Sequence, residues 1–170
     1  ELKRQPLPPI ITSTLQQAAF NKFGFGAKQT MVLAQQLYEN GLITYMRTDS
    51  FNLSNESLLG AKQKIEKMFG FSYLLPSPRI FKTKSKSAQE AHEAIRPTSA
   101  YADPESLNKK LLPQQFKLYD LIWRRFIATQ MQNAIFEATS IDIAASKNID
   151  AKYIFRATGN VIKFDGFLKV

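Results

Sequence analysis

The chain has 170 residues, 44% of them hydrophobic, with 13 Phe and no cysteine. That composition excludes a disordered polypeptide, a disulfide scaffold and a thiolate metal centre, and it allows one domain with a real core or two small ones. The formal net charge of +9 favours a polyanionic partner, most often nucleic acid, with plain solubility as the other reading of the charge.

Residues 1–11, "ELKRQPLPPII", carry three prolines and read as extended. Ser13 and Gln16 form a capping-box pattern ahead of a helix in "LQQAAFNKF", which Gly24 and Gly26 break. A second helix is expected over roughly 27–40, with Met31, Ala34, Leu37 and Tyr38 at helical spacing and Gly41 as its C-terminal glycine. A short strand, "LITY", and a polar turn, "RTDSFN", follow. Ser54 reads as the N-cap of a third helix over 55–69, with Leu58, Ala61, Ile65 and Met68 on one face.

Residues 70–88 read as loop, and "RIFKTKSK" within them holds Arg79, Lys82, Lys84 and Lys86 without an acid. Such a run is either a solvated loop or a track for a phosphate backbone. "AQEAHEAIRP" has short helical character that stops at Pro97. Pro113 opens a last long helix to about 130, whose stripe of Phe116, Tyr119, Ile122, Trp123 and Phe126 reads as core. Beyond residue 132 the period changes, and "ATSIDIAAS", "AKYIFRAT" and "NVIKFDGFLKV" read as strands, with Gly159-Asn160 marking a tight hairpin. The expected fold class is α+β, a mainly helical body inserted between β-strands, with residues 1–11 joining the C-terminal strands in one sheet.

The chain starts on Glu1 and ends on the strand-like "GFLKV", and it is expected to be a piece cut from a larger protein. No signal peptide and no run near the ~18 apolar residues of a membrane span appear, and the lack of cysteine fits a reducing, cytoplasmic compartment. No P-loop, no G-x-G-x-x-G and no D-x-D cluster occurs, so neither nucleotide binding nor a metal site is expected in this segment. "HEAIR" is not a zinc helix, because Arg96 stands where a second His would be needed.

Chemistry concentrates at "GLITYMRTDS" (41–50). A phenol with a pKa of about 10 is a poor nucleophile until positive charge stands beside it. In an extended segment Tyr45 and Arg47 point to the same side, so Arg47 can stand by the phenol oxygen or grip two oxygens of a phosphate. Thr48, Asp49 and Ser50 supply short polar groups that brace a turn or reach a phosphate. The pattern suits a tyrosine that attacks a phosphodiester; spacing alone leaves open a strand-end aromatic with its hydroxyl in water. His92, the one histidine, can hydrogen-bond a phosphate or move a proton, although a lone histidine is more often a plain surface or core residue.

"LAQQLYENGLITYMRTDS" (33–50) followed by "QEAHEAIRPT" (89–98) resembles the type IA DNA topoisomerases, on the side of bacterial topoisomerase I. "PPIITSTLQQAA" (8–19), "LYDLIWRRFIATQM" (118–131) and "KFDGFLKV" (163–170) extend the resemblance over nearly the whole chain, and Met46 leans towards the topoisomerase I branch. The resemblance implies that Tyr45 cuts one DNA strand and holds the 5′ end as a phosphotyrosine, that Arg47 positions the scissile phosphate and that His92 contacts the same region. It makes Glu39 an orienting acid and Arg96 a brace or a DNA contact, and it gives Ser13, Thr14 and Gln16 a DNA or architectural role. It departs at Phe51, where many relatives have Thr.

The architecture implied is a helical tyrosine domain over 12–131, hung from a β-rich arch or hinge made of 1–11 and 132–170. The partners implied are single-stranded DNA, negatively supercoiled duplex DNA and the remaining domains of the parent enzyme, in a monomer. No cofactor is expected in this segment, and the Mg²⁺ of the full enzyme would be held by a Toprim domain that this chain lacks. The isolated chain is expected to be weak or inactive in relaxation. A non-catalytic single-strand-binding module is the alternative. A tyrosine recombinase or type IB enzyme is disfavoured by the order of the motifs, since Arg47 and "HEAIRPT" follow the tyrosine.

Overall fold

A helix cannot start while prolines hold the chain extended, and α1 (Thr12–Phe23) begins directly after the stretch that ends at Ile11. The computed structural model describes residues 1–81, 92–145 and 153–170. Ile11, not Ser13, occupies the N-cap of α1. The Thr14 hydroxyl reaches back to accept from the Ile11 amide at 2.9 Å, so the cap comes from within the first turn. α2 (Ala27–Glu39) follows, buries Leu33, Ala34 and Leu37, and packs against α1. Asn40 closes α2, and Gly41, at φ +70, turns the chain out of it through a backbone conformation that a Cβ would strain.

Ser54 caps α3 (Asn55–Phe69), its side chain accepting from the Ser57 amide at 3.3 Å. The buried face of α3 holds Ser57, Ala61, Lys64 and Ile65. Met68 is exposed, so the inward stripe is rotated from the expected one. The reason is Lys64, whose ammonium pairs with Asp103 at 2.8 Å and lies 5.9 Å from the centre of the Trp123 ring. A buried amine with two partners is tolerated where a bare one is not.

A single 3₁₀ turn (Phe71–Tyr73) and a four-residue helix, α4 (Pro104–Leu107), precede α5 (Pro113–Thr129), which has Pro113 in its first turn. α5 is the central column of the core, with Leu118, Tyr119, Ile122, Trp123, Phe126 and Ile127 buried against α1, α2 and α3. Its polar atoms find partners: the Tyr119 hydroxyl donates to the Ala102 carbonyl at 2.5 Å and the Trp123 indole to that of Ala100 at 3.0 Å.

Among the described residues three antiparallel strands form one sheet in the order β1 (Leu2–Arg4), β2 (Ala134–Ala145), β3 (Tyr153–Phe164). The fold is a mixed α+β one, and the N-terminal strand pairs with β2, Leu2 opposite Phe136 and Arg4 opposite Ala134. Gly159-Asn160 is not a turn. It lies inside β3, opposite Thr139 and Ala138, and Gly159 lacks the positive φ that a primed hairpin turn demands. Ladder pairing along twelve residues of β3 outweighs the local turn preference. The closing "GFLKV" is likewise not a strand but a 3₁₀ turn (Gly166–Lys169).

The segment around Tyr45 and the histidine motif also differ from the sequence expectation. "LITY" forms no strand; Ile43 makes an isolated antiparallel bridge to Pro97. Pro97 has no N–H to extend a ladder, so two backbone bonds flank the bridge, Thr98 to the Leu42 carbonyl at 3.0 Å and Thr44 to that of Arg96 at 2.9 Å. Residues 92–97 are not helical either. The Ala94 amide donates to Asn52 at 2.9 Å and the Ile95 amide to Ile10 at 2.8 Å, and these long-range bonds hold the segment extended. Residues 88–91 of the expected short helix lie outside the described residues. No helix is long and apolar enough to cross a membrane among the described residues.

Candidate active site around Tyr45

Exposure alternates along the segment after Gly41: Tyr45, Arg47 and Asp49 face outward, and Met46, Thr48 and Ser50 are buried. This two-residue period comes without a ladder, through anchored side chains. Met46 is 1% exposed and belongs to the core. The Thr48 hydroxyl accepts from the Ser50 amide at 3.0 Å, and the Ser50 hydroxyl from the Asn52 amide at 3.1 Å. Such side-chain turns satisfy the backbone where no strand partner exists.

Two threonines outside this pair stitch the segment to its neighbours. On one side the Thr44 hydroxyl donates to the Ala94 carbonyl at 2.7 Å and accepts from the Arg96 amide at 3.0 Å. On the other, the Thr12 hydroxyl donates to the Met46 carbonyl at 2.7 Å and accepts from the Thr48 amide at 2.9 Å. Tyr45 stands between the two, 40% exposed, with its ring edge-on to Tyr38 on α2. Nothing in the sequence separates Tyr38 from a core residue, since it falls on the apolar spacing of α2. Its exposure and its contact with Tyr45 appear only in the folded structure.

The other candidate residues divide into groups. Arg47, Thr48 and Asp49 share a shallow groove of about 520 Å³ with Ser13 and Gln16 at the start of α1. Thr14 turns away from that groove, its hydroxyl bonded to Ile11, and lines the neighbouring one with Pro8 and Phe51. Glu39, the last residue of α2, is exposed and accepts from Gln35 Nε2 at 2.6 Å. His92 is half-buried at the head of the extended segment that Thr44 holds.

Arg96 is engaged internally. Its guanidinium meets both oxygens of Glu93, at 3.3 and 2.5 Å, the Pro97 carbonyl at 2.9 Å and the Ser54 hydroxyl at 3.3 Å. Burial works to raise the Glu93 carboxyl, but Arg96 and the Ser54 amide outweigh it and hold the group below its ordinary range. Arg79 is also turned inward: it donates to the carbonyls of Thr129 at 2.9 Å and Met131 at 3.1 Å and to Asn133 at 2.6 Å, closing the C-terminal end of α5. Lys82, Lys84 and Lys86 lie outside the described residues. Among the described residues no three His, Asp or Glu side chains group as metal ligands.

The chain carries an outward tyrosine beside an arginine on a helical body, and comparison with known proteins gives its family. The family model described as DNA topoisomerase matches residues 1–170, and the chain belongs to that family, in its bacterial type IA branch. It is 51% identical to DNA topoisomerase 1 of Rickettsia felis, an alignment covering 99% of this chain and 22% of that protein. It is 46% identical to DNA topoisomerase 1 of Helicobacter pylori, over 99% of this chain and 23% of that protein. In structure it is similar to full-length topoisomerase I from Thermotoga maritima, with a TM-score of 0.84 and 41% identity over 99% of this chain and 27% of that one. The chain thus spans about a quarter or less of the length of these relatives.

Proposed function

We propose that Tyr45 is the nucleophile of a type IA DNA topoisomerase reaction. The phenol oxygen attacks a backbone phosphorus of single-stranded DNA. The new bond is tyrosine oxygen to phosphorus, and the bond that breaks runs from phosphorus to the 3′ oxygen. The phenol gives up its proton, the leaving 3′ oxygen takes one up, and the 5′ end remains as a phosphotyrosine. A second strand passes through the gap. Reversal of the same exchange rejoins the ends without ATP, because the ester keeps the energy of the broken bond. The outcome for the parent is relaxation of negatively supercoiled DNA.

The observation that carries this reading is the outward pair Tyr45 and Arg47 on one side of an anchored segment. Arg47 would hold the scissile phosphate, through a fork suited to two oxygens. His92 would contact the same phosphate, and Glu39 would orient groups at the mouth of the site. Arg96 acts at a distance, by bracing the segment that carries His92. The groove between Arg47 and the start of α1, with Ser13, Gln16, Thr48 and Asp49 on its walls, is where the DNA backbone would run. Residues 12–131 would form the tyrosine domain, with 1–11 and 132–170 part of a hinge. Mg²⁺ would be held by other parts of the parent, a cytoplasmic monomer.

The test is a single-stranded oligonucleotide labelled at its 3′ end, incubated with the longest natural polypeptide that contains this segment and resolved on a denaturing gel. A labelled protein band that vanishes in Tyr45→Phe is the expected result. Salt-sensitive binding without a covalent band from either end label would instead favour a non-catalytic single-strand-binding module.

A further inference from the structure

We infer that Thr12, in the first turn of α1, is a positioning residue that sets where Arg47 stands; the inference rests on the proposed role of Tyr45 and Arg47. A threonine at the start of a helix ordinarily caps that helix. Thr12 does not. Its hydroxyl donates to the Met46 carbonyl at 2.7 Å and accepts from the Thr48 amide at 2.9 Å, while its own amide donates to the Thr48 carbonyl at 3.0 Å. A hydroxyl has one proton to give, and the longer contact to Thr48 O, 3.1 Å, is the weaker of its two acceptors. Capping of α1 is left to Thr14, which bonds back to Ile11.

The consequence lies at Arg47. The groups that Thr12 holds sit on both sides of it in the chain, at residues 46 and 48, so the hydroxyl fixes the backbone from which the guanidinium projects. Thr44 does the same one residue before Tyr45, through Ala94 and Arg96. Tyr45 and Arg47 are therefore held from opposite sides by two threonines, one tied to the histidine motif and one to α1. Thr12 lines the groove that holds Arg47, but its hydroxyl is committed to the backbone of residues 46 and 48. It acts through the backbone of 46–48.

The experiment compares Thr12→Val, which keeps the shape and removes the hydroxyl, with Thr12→Ser, which keeps the hydroxyl, in the longest natural polypeptide containing this segment. Three readouts are taken: the single-turnover rate of covalent adduct formation at saturating oligonucleotide, the oligonucleotide affinity, and hydrogen exchange at the Thr48 amide. Thr12→Val is expected to slow adduct formation about ten- to a hundredfold, as a misplaced reacting group does. Affinity should fall far less than the rate, the Thr48 amide should exchange faster, and Thr12→Ser should restore both rate and protection. An unchanged adduct rate in Thr12→Val, or a loss that Thr12→Ser fails to rescue, overturns the positioning role. Unchanged Thr48 exchange overturns the pinning itself. Absence of any Tyr45-dependent adduct in the unsubstituted protein overturns the proposed function, and the role of Thr12 in it, whatever the exchange data give.

Discussion

The ring of Tyr38 meets the ring of Tyr45 edge-on, with centroids 5.3 Å apart and planes at 66°. An edge-to-face pair is worth about 0.5–1.5 kcal/mol beyond its area, enough to favour one setting of an otherwise exposed phenol. Tyr38→Ala is therefore expected to slow adduct formation about tenfold or less, with a small change in melting temperature. Rapid-quench kinetics beside a thermal melt separate the two effects.

Tyr45→Phe removes one outward hydroxyl. Covalent attachment to DNA should be lost entirely, while stability stays within about 0.5 kcal/mol of the parent, as for surface changes in general. Denaturant unfolding of both proteins checks the second half. A large loss of stability would mean that the hydroxyl belongs to the structure rather than to the chemistry.

Much of this was legible before the structure. The motif around Tyr45 lies in one continuous stretch, and the bounds of α3 and α5 and the glycine after α2 follow local rules for helix ends. The misread parts depend on distant partners. Residues 92–97 look helical until Asn52, Ile10 and Thr44 claim their backbone groups. Gly159-Asn160 looks like a turn until β2 runs beside it. Thr12 gives no sign of its role for the same reason, because both of its partners stand more than thirty residues away in sequence. Arg79 sat in a basic run that reads as a phosphate track, and only the end of α5 reveals its inward bonds.

That placement of Arg79 has its own consequence. Arg79→Ala should leave the carbonyls of Thr129 and Met131 short of a donor and cost about 1–3 kcal/mol of stability. The salt dependence of oligonucleotide binding should be unaltered. Chemical denaturation and a salt titration read the two quantities independently.

The carboxylates of Glu93 and Asp103 link stability to pH. Glu93 is held low by Arg96 and Ser54 against the opposing effect of burial, and Asp103 is held low chiefly by its bond to Lys64. A carboxyl whose folded value lies below its unfolded one adds stability above the unfolded value, about 4 for these groups, and loses it as pH falls through the folded value. The melting temperature should hold steady from pH 7 to about 5 and drop below about 4. In Glu93→Gln the drop should be shallower, from a lower starting point, because Arg96 loses its charged partner.

The most direct measurement of the central claim is to locate the covalent bond. The adduct with a short oligonucleotide would be digested with protease and nuclease and the modified peptide sequenced by mass spectrometry. The account predicts a 5′-phosphonucleotide on the peptide containing Tyr45, on that residue. A nucleotide on Tyr38, the neighbouring exposed phenol, or a link through a 3′ phosphate, would contradict it.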